Sequence, residues 1–93
     1  MSTLSVSEAL QKFLSESRIK DEMLAFQIAD AWESIMGKTV ARYTSQVRIQ
    51  HGKLYIHTPI GPLRNELLYQ REAILQKVND YIGTVVVKEV VIQ

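Results

Sequence analysis

A pattern of two short strands between residues 46 and 57 most constrains what this chain can fold into. Apolar and polar residues alternate on both sides of the pair His51-Gly52. Alternation with a period of two is typical of half-buried strands, and a two-residue gap containing glycine predicts a tight hairpin turn. A slip of one residue would move every apolar side chain into water, so the pattern also predicts the register. The predicted pairs are Val47–Ile56 and Ile49–Leu54 on the buried side, and Gln46–His57, Arg48–Tyr55 and Gln50–Lys53 on the polar side.

Two helices are predicted before the hairpin. Residues 5–8 have the capping-box spacing of serine and glutamate, so a first helix should begin there and run to about Ser15. A polar loop is expected up to Lys20, and a second helix from Asp21 to a C-terminal glycine at Gly37. The apolar stripes of the two helices are Val6, Leu10, Phe13 and Leu14, then Leu24, Ile28, Ala31, Trp32 and Ile35. The lone tryptophan in the second stripe is expected to anchor the core.

One helix and one strand are predicted after the hairpin. Between the second helix and the hairpin, residues 38–43 fit an extra helical turn. Two prolines and a glycine within residues 58–62 should end the second strand and begin a third helix, which stops at Gly83. The β-branched run from Thr84 to Ile92 predicts a third strand, with apolar residues on both faces. Such a strand either lies centrally in the sheet or meets another molecule with part of its length. The third helix's predicted stripe is Leu63, Leu67, Ile74, Val78 and Ile82, widened by Leu68 and Leu75.

This order, α-α-β-β-α-β, predicts an α+β fold with two layers. A right-handed crossover through the third helix would make the last strand parallel to the second. Three strands with helices on one face leave the other face open to solvent. At 93 residues the chain is expected to form a single domain over residues 1–93. The open face should carry Arg48, Lys53, Tyr55 and His57.

Composition narrows the classes of function. The absence of cysteine excludes disulfides and thiolate zinc sites. No signal peptide or membrane-spanning run is recognisable, so a cytoplasmic protein with no membrane partner is expected. The net charge of +1 is unevenly spread: residues 1–33 sum to −3, residues 34–65 to +5 with no acid, and residues 66–93 to −1. A basic hairpin side on a nearly neutral body is the expected consequence.

No motif predicts catalysis, a metal site or a cofactor. His51 and His57 have no carboxylate near them in sequence and lack helical ligand spacing, so solvated histidines are expected. No serine lies in a nucleophile motif, and the glycine content of residues 60–63 is too low for a phosphate-cradling loop. A non-enzymatic protein is therefore expected.

Basic residues interleaved with aromatic ones point instead to nucleic acid. Cationic groups neutralise phosphates, and a tyrosine ring can stack on an unpaired base. The alternative is that Arg48 and Tyr55 only cover each other as a cross-strand cation–π pair. The candidate nucleic-acid-binding residues are Lys38, Arg42, Arg48, Lys53, Tyr55 and Arg64.

Several stretches, spread over nearly the whole chain, resemble the DciA family. They are Trp32 to Gly37, Thr39 to Thr44, Gly52 to Ile56, Leu63 to Leu67, Ile74-Leu75 and Asn79 to Gly83, followed by the closing strand. The resemblance implies a KH-like domain that associates with the bacterial replicative helicase, assists its loading on DNA and binds DNA. The Gly-x-x-Gly loop with which KH domains grip RNA is absent, as is any zinc ribbon.

On this resemblance, Arg64, Asn65 and Glu66 are the exposed part of the motif and are expected to contact the helicase or DNA. Two other classes of function remain open. One is a single-stranded DNA- or RNA-binding protein with no helicase partner. The other is an interaction module that self-associates through residues 84–92. The salt dependence of binding distinguishes these two classes, because phosphate binding weakens steeply as the salt concentration rises and apolar association does not.

Overall fold

The computed structural model describes residues 5–10 and 18–93 and has a three-stranded sheet with helices on one face, which confirms the predicted α+β class. A first helix, α1, is described over residues 6–10. The other elements are α2 (Arg18–Asp30), α3 (Trp32–Met36), α4 (Lys38–Arg42), β1 (Gln46–Gln50), β2 (Lys53–His57), α5 (Gly61–Tyr69), α6 (Arg71–Ile82) and β3 (Glu89–Ile92).

The start of α1 is capped as the sequence predicts. The Glu8 backbone N–H donates to Ser5 Oγ at 3.0 Å, which satisfies one of the unpaired amides of the first turn. The predicted end of the first helix and the first half of the loop predicted after it fall in residues 11–17, outside the described residues. The predicted start of the second helix is wrong, because α2 begins at Arg18 and not at Asp21. Nothing in residues 18–20 breaks a helix, so these residues extend it.

The second predicted helix is interrupted at Ala31, whose backbone (φ −97°, ψ 3°) departs from helical geometry. Trp32 follows at the start of α3 and is 3% exposed, so the prediction of a core anchor is confirmed. Its indole Nε1 donates to Thr44 Oγ1 at 2.9 Å, and that hydroxyl donates to the Val40 carbonyl at 2.7 Å. These two bonds join α3, α4 and the residue that leads into β1. The extra helical turn predicted for residues 38–43 is present as α4.

The hairpin forms with the predicted register at all five pairs. His51 (φ 51°) and Gly52 (φ 79°) both have positive φ, as a primed two-residue turn requires. Ile49, Leu54 and Ile56 face the helices and are buried, whereas the residues between them are exposed or half-buried. The alternation seen in the sequence therefore corresponds to the two faces of the sheet.

The third predicted helix is two helices, α5 and α6, separated at Gln70 (φ −102°, ψ 10°). The Gln70 N–H donates to the Leu67 carbonyl, three residues back, at 3.0 Å, which tightens the last turn of α5. Neither proline nor glycine marks this junction, so no local residue pattern predicted it. Leu67 and Ile74, on either side, are both fully buried. The predicted C-terminal glycine is confirmed, because Gly83 is left-handed (φ 94°).

The last strand is parallel to β2, as predicted, and lies at an edge of the sheet, in the order β1-β2-β3. It is shorter than the predicted strand because Val86 and Val87 are bound to α6, and the Lys88 N–H donates to the Gly52 carbonyl of the hairpin turn at 2.7 Å. Asn79 Oδ1 accepts the N–H groups of Val86 and Val87, each at 3.0 Å, and Asn79 Nδ2 donates to the Val87 carbonyl at 2.9 Å. The side chain of Asn79 thus replaces a strand ladder and directs the chain into β3.

The core lies between the helices and one face of the sheet. Its buried members are Ala25, Ile28, Trp32, Ile49, Leu54, Ile56, Leu67, Ile74, Val78, Val87 and Val90. Leu68, which the sequence assigned to the same stripe, is instead exposed. Among the described helices, none has the length and apolar character needed to cross a bilayer.

Candidate nucleic-acid interface

The open face of the sheet carries Arg48 and Tyr55 opposite each other on β1 and β2. The guanidinium carbon of Arg48 lies 5.0 Å from the centroid of the Tyr55 ring, which is a cation–π contact. Arg48 is exposed and Tyr55 half-buried, so the pair also covers part of the open face. Such a pair is what the alternative interpretation predicts, and it also leaves guanidinium N–H groups available to a phosphate.

Lys53 lies on the same face but is not an isolated cation. Its Nζ lies 3.9 Å from Glu89 Oε1, and the two side chains are 48% and 59% exposed. Their partnership follows from the parallel register of β2 and β3, which sets Lys53 beside Glu89. A solvent-exposed pair at this distance contributes little stability, about 0–1 kcal/mol. It does, however, place a carboxylate beside the predicted basic surface. The net charges summed over sequence segments could not predict this contact.

His57 lies at the other end of β2, beside the residue that precedes β1. Its Nδ1 is 2.6 Å from Ser45 Oγ, within hydrogen-bonding distance. Both residues are exposed. Among residues 5–10 and 18–93 no cluster of three or more histidine, cysteine, aspartate or glutamate residues could hold a metal ion.

Lys38 and Arg42 lie on α4, whereas Arg48, Lys53 and Tyr55 lie on the strands and Arg64 lies on α5. Both are exposed, and the Arg42 guanidinium lies 5.6 Å from the Tyr43 ring centroid. Among the described residues there are therefore two arginine–tyrosine contacts, one on the sheet and one at the end of α4. Across the described residues, no hydrogen bond or ion pair links the side chains of Lys38 or Arg42 to Arg48.

Arg64 has a structural contact that the sequence did not indicate. Its Nη2 donates to the Thr58 carbonyl at 3.0 Å, which ties the first turn of α5 to the end of β2. Thr58 is fully buried, and its Oγ1 accepts the N–H of Ile60 at 3.2 Å. Asn65 and Glu66, the other two residues of the motif, are exposed on α5. Arg64 therefore supports the fold at this corner, whatever else it contacts.

Sequence reasoning missed an apolar surface on α2. Phe26 is 73% exposed and Met23 64% exposed. Ile28, in the predicted core stripe of this helix, is fully buried, and both exposed residues lie on the opposite side. Helical periodicity could have revealed this, because Ile19, Met23 and Phe26 recur at spacings of four and three residues. A helix with apolar residues on both sides is expected to contact more than its own core.

Comparison with known proteins gives one informative result. No curated protein and no solved structure gives a significant match to this chain. The protein family described as Dna[CI] antecedent, DciA, matches residues 5–92, which is nearly the whole chain. That match includes the hairpin, the Arg64-Asn65-Glu66 corner and the segment that Asn79 holds. The chain therefore belongs to the DciA family, a family of accessory proteins of bacterial DNA replication.

Proposed function

We propose that this protein binds the bacterial replicative helicase and assists its loading on DNA, in the cytoplasm and without catalytic activity of its own. The observation that carries the proposal is membership of the DciA family over residues 5–92, because that family implies a role in helicase loading. The helicase is the main partner in this proposal, and DNA is a second, weaker ligand.

The corner formed by Arg64, Asn65 and Glu66 is the proposed helicase contact. Asn65 and Glu66 are exposed on α5, and Glu66 Oε1 only accepts a hydrogen bond from Gln70 Nε2 at 3.2 Å. Arg64 is held by the Thr58 carbonyl, so it fixes the orientation of the two residues that follow it. A substitution of Arg64 would disturb the fold as well as the contact, which makes Glu66 the better residue to test.

The proposed DNA contact is the basic side of the molecule: Lys38, Arg42, Arg48, Lys53, Tyr55 and Arg64. The exposed Arg48–Tyr55 pair supports it, because a guanidinium and an aromatic ring together suit a phosphate and an unstacked base. The carboxylate of Glu89 beside Lys53 limits the local positive charge. Binding should therefore be weak and independent of sequence.

The helicase contact can be tested by calorimetry with the replicative helicase of the same organism and no nucleic acid. We expect micromolar or tighter binding by the wild-type protein and a loss of about tenfold or more in Glu66→Arg, since reversing a charge at a contact costs more than about 1.4 kcal/mol. Glu72→Arg is the matched control, because Glu72 is also exposed but lies on α6. No heat and no co-elution would refute the helicase partner, and equal weakening by both variants would refute the assignment to this corner.

A second candidate is a single-stranded nucleic-acid-binding protein with no helicase partner. The exposed Arg48–Tyr55 pair favours it, because the pair needs no protein partner to bind a base and a phosphate. In that case the calorimetric titration would give no heat, whereas single-stranded DNA or RNA would bind and be released by salt.

Self-association through residues 84–92 is a third candidate, favoured by the position of β3 at a sheet edge. Sedimentation of the protein alone tests it, because a dimer that is insensitive to salt would support it.

A further inference from the structure

β1 is the second edge of the sheet, and half of its backbone groups point away from its neighbour. On β2, the Ile56 carbonyl and the Thr58 N–H bond to Gln93 on the β3 side. Alternate residues of a central strand bond to opposite neighbours, so Lys53, Tyr55 and His57 bond to β1. Their partners on β1 use the inner side of the strand, which leaves the N–H and C=O groups of Val47 and Ile49 directed outward. Among the described residues no backbone group pairs with them.

A groove runs beside this edge, between β1 and α2. Its helix side is formed by Glu22, Ala25, Phe26 and Ala29, whose spacing puts them along one side of α2, and its strand side by residues 47–50. Ala25 is packed into the core, but the exposed Ala29 leaves room that a larger side chain would fill, and the exposed Phe26 ring forms an apolar wall. The groove has a volume of about 510 Å³, which is enough for several side chains.

An edge strand beside an apolar groove is the geometry used to bind an extended segment by strand addition. Backbone groups of the added strand would pair with those of Val47 and Ile49. Its alternate side chains would enter the groove under Phe26, and those between would lie on the open face next to Arg48.

The charges of the two faces indicate what segment would fit. β1 carries one charge, Arg48, and no acid, so an acidic side chain opposite Arg48 is favoured. On the groove side the wall is formed by the exposed Phe26 ring, which favours apolar side chains. A second copy of β1 fits less well, because the antiparallel register that pairs all five residues would set Arg48 against Arg48 of the copy. We propose that β1 and α2 bind an extended segment of a partner protein in which apolar and acidic residues alternate.

This proposal goes beyond helicase loading and does not depend on it. The probe is a blocked seven-residue peptide of alternating valine and glutamate, titrated into the ¹⁵N-labelled protein and followed by NMR. We expect shifts centred on the amides of Val47 and Ile49, slower hydrogen exchange at both, and weaker binding of a valine–lysine peptide of the same length. No shift at millimolar peptide, or shifts centred on β3, would overturn the proposal.

Two variants test the two components of the proposed site, which are the backbone pairing along β1 and the charge of Arg48. Val47→Pro removes one outward N–H, which an edge strand can lose without losing an internal bond, and should weaken binding about tenfold or more. Arg48→Glu lies on the exposed face and should invert the preference between the glutamate and lysine peptides. If Val47→Pro does not fold, the inverted peptide preference of Arg48→Glu still tests the proposal. An unchanged preference in Arg48→Glu, or a dimer in sedimentation that Val47→Pro abolishes, would refute the acidic partner segment.

Discussion

At the scale of single residues, Asn79 makes the contacts on which β3 depends most directly. Its amide makes three hydrogen bonds to the backbone of Val86 and Val87, and the Val87 side chain is fully buried. In Asn79→Ala these half-buried backbone groups would lose their partner, and each unsatisfied group costs about 1–3 kcal/mol. We therefore expect the free energy of unfolding to fall by about 2–4 kcal/mol, measured by urea denaturation.

Gln76→Ala is the control for this prediction. Gln76 lies one turn earlier on α6 and donates only to the exposed carboxylate of Asp80, at 3.0 Å. Its loss should change the free energy of unfolding by less than about 0.5 kcal/mol, as for most surface substitutions. Similar effects of the two substitutions would mean that the segment after α6 does not depend on the Asn79 amide.

The sequence could predict that Trp32 is buried, but it could not predict the role of Asn79. Burial of Trp32 follows from local periodicity, because it shares a helical stripe with Ile28. The bonds of Asn79 depend on how the chain returns after Gly83, which no local pattern encodes. The same holds for Arg64, whose bond to the Thr58 carbonyl exists only once α5 has docked against the end of β2.

At the scale of elements, the hairpin turn contains a residue that strains it. His51 has φ 51°, a conformation that costs a side chain of this kind free energy and that asparagine accepts more readily. His51→Asn should therefore raise the free energy of unfolding by about 0.5–1 kcal/mol, or several degrees in melting temperature. Thermal denaturation followed by circular dichroism would measure it.

Gly52→Ala gives the opposite test of the same turn. A Cβ at position 52 would meet only the Lys88 side chain, at 4.0 Å, so space is available. The backbone at φ 79° nevertheless disfavours any L side chain, and a loss of about 1 kcal/mol is expected. If His51→Asn destabilised the protein instead, a contact of the imidazole would have to outweigh the strain of the turn.

The sequence predicts those elements whose residue pattern is local, such as the hairpin. It does not predict features that depend on contacts between residues far apart in the chain. The hairpin register was confirmed pair by pair, because a period of two and a two-residue turn leave no other solution. The break at Gln70 was missed because neither proline nor glycine marks it. The apolar residues on both faces of the last strand fit a central position in the sheet or a contact with another molecule, and the structure puts β3 at an edge, so only its direction followed from the crossover rule.

At the scale of the whole molecule, folding redistributes the charge that the sequence concentrates in residues 34–65. Glu89 comes from the last strand and lies beside Lys53, while Lys38 and Arg42 lie on α4 and not on the sheet. The basic side is thus a set of separated cations and not one dense patch. Such a surface is expected to contact few DNA phosphates at a time. The affinity for DNA should therefore depend on the salt concentration and on the length of the DNA strand.

The salt dependence of DNA binding follows from this arrangement. With roughly three phosphates neutralised, the affinity for single-stranded DNA should fall about tenfold or more between about 50 and 200 mM salt. Arg48→Glu should weaken binding several-fold and flatten the slope of affinity against salt, because one fewer phosphate is neutralised. Lys77→Glu is the matched control, since it makes the same charge change on an exposed turn of α6, and it should leave the slope unchanged. Fluorescence anisotropy with a labelled oligonucleotide measures both quantities. Equal effects of the two substitutions would mean that net charge alone attracts DNA, and that the Arg48–Tyr55 pair serves only to cover the open face of the sheet.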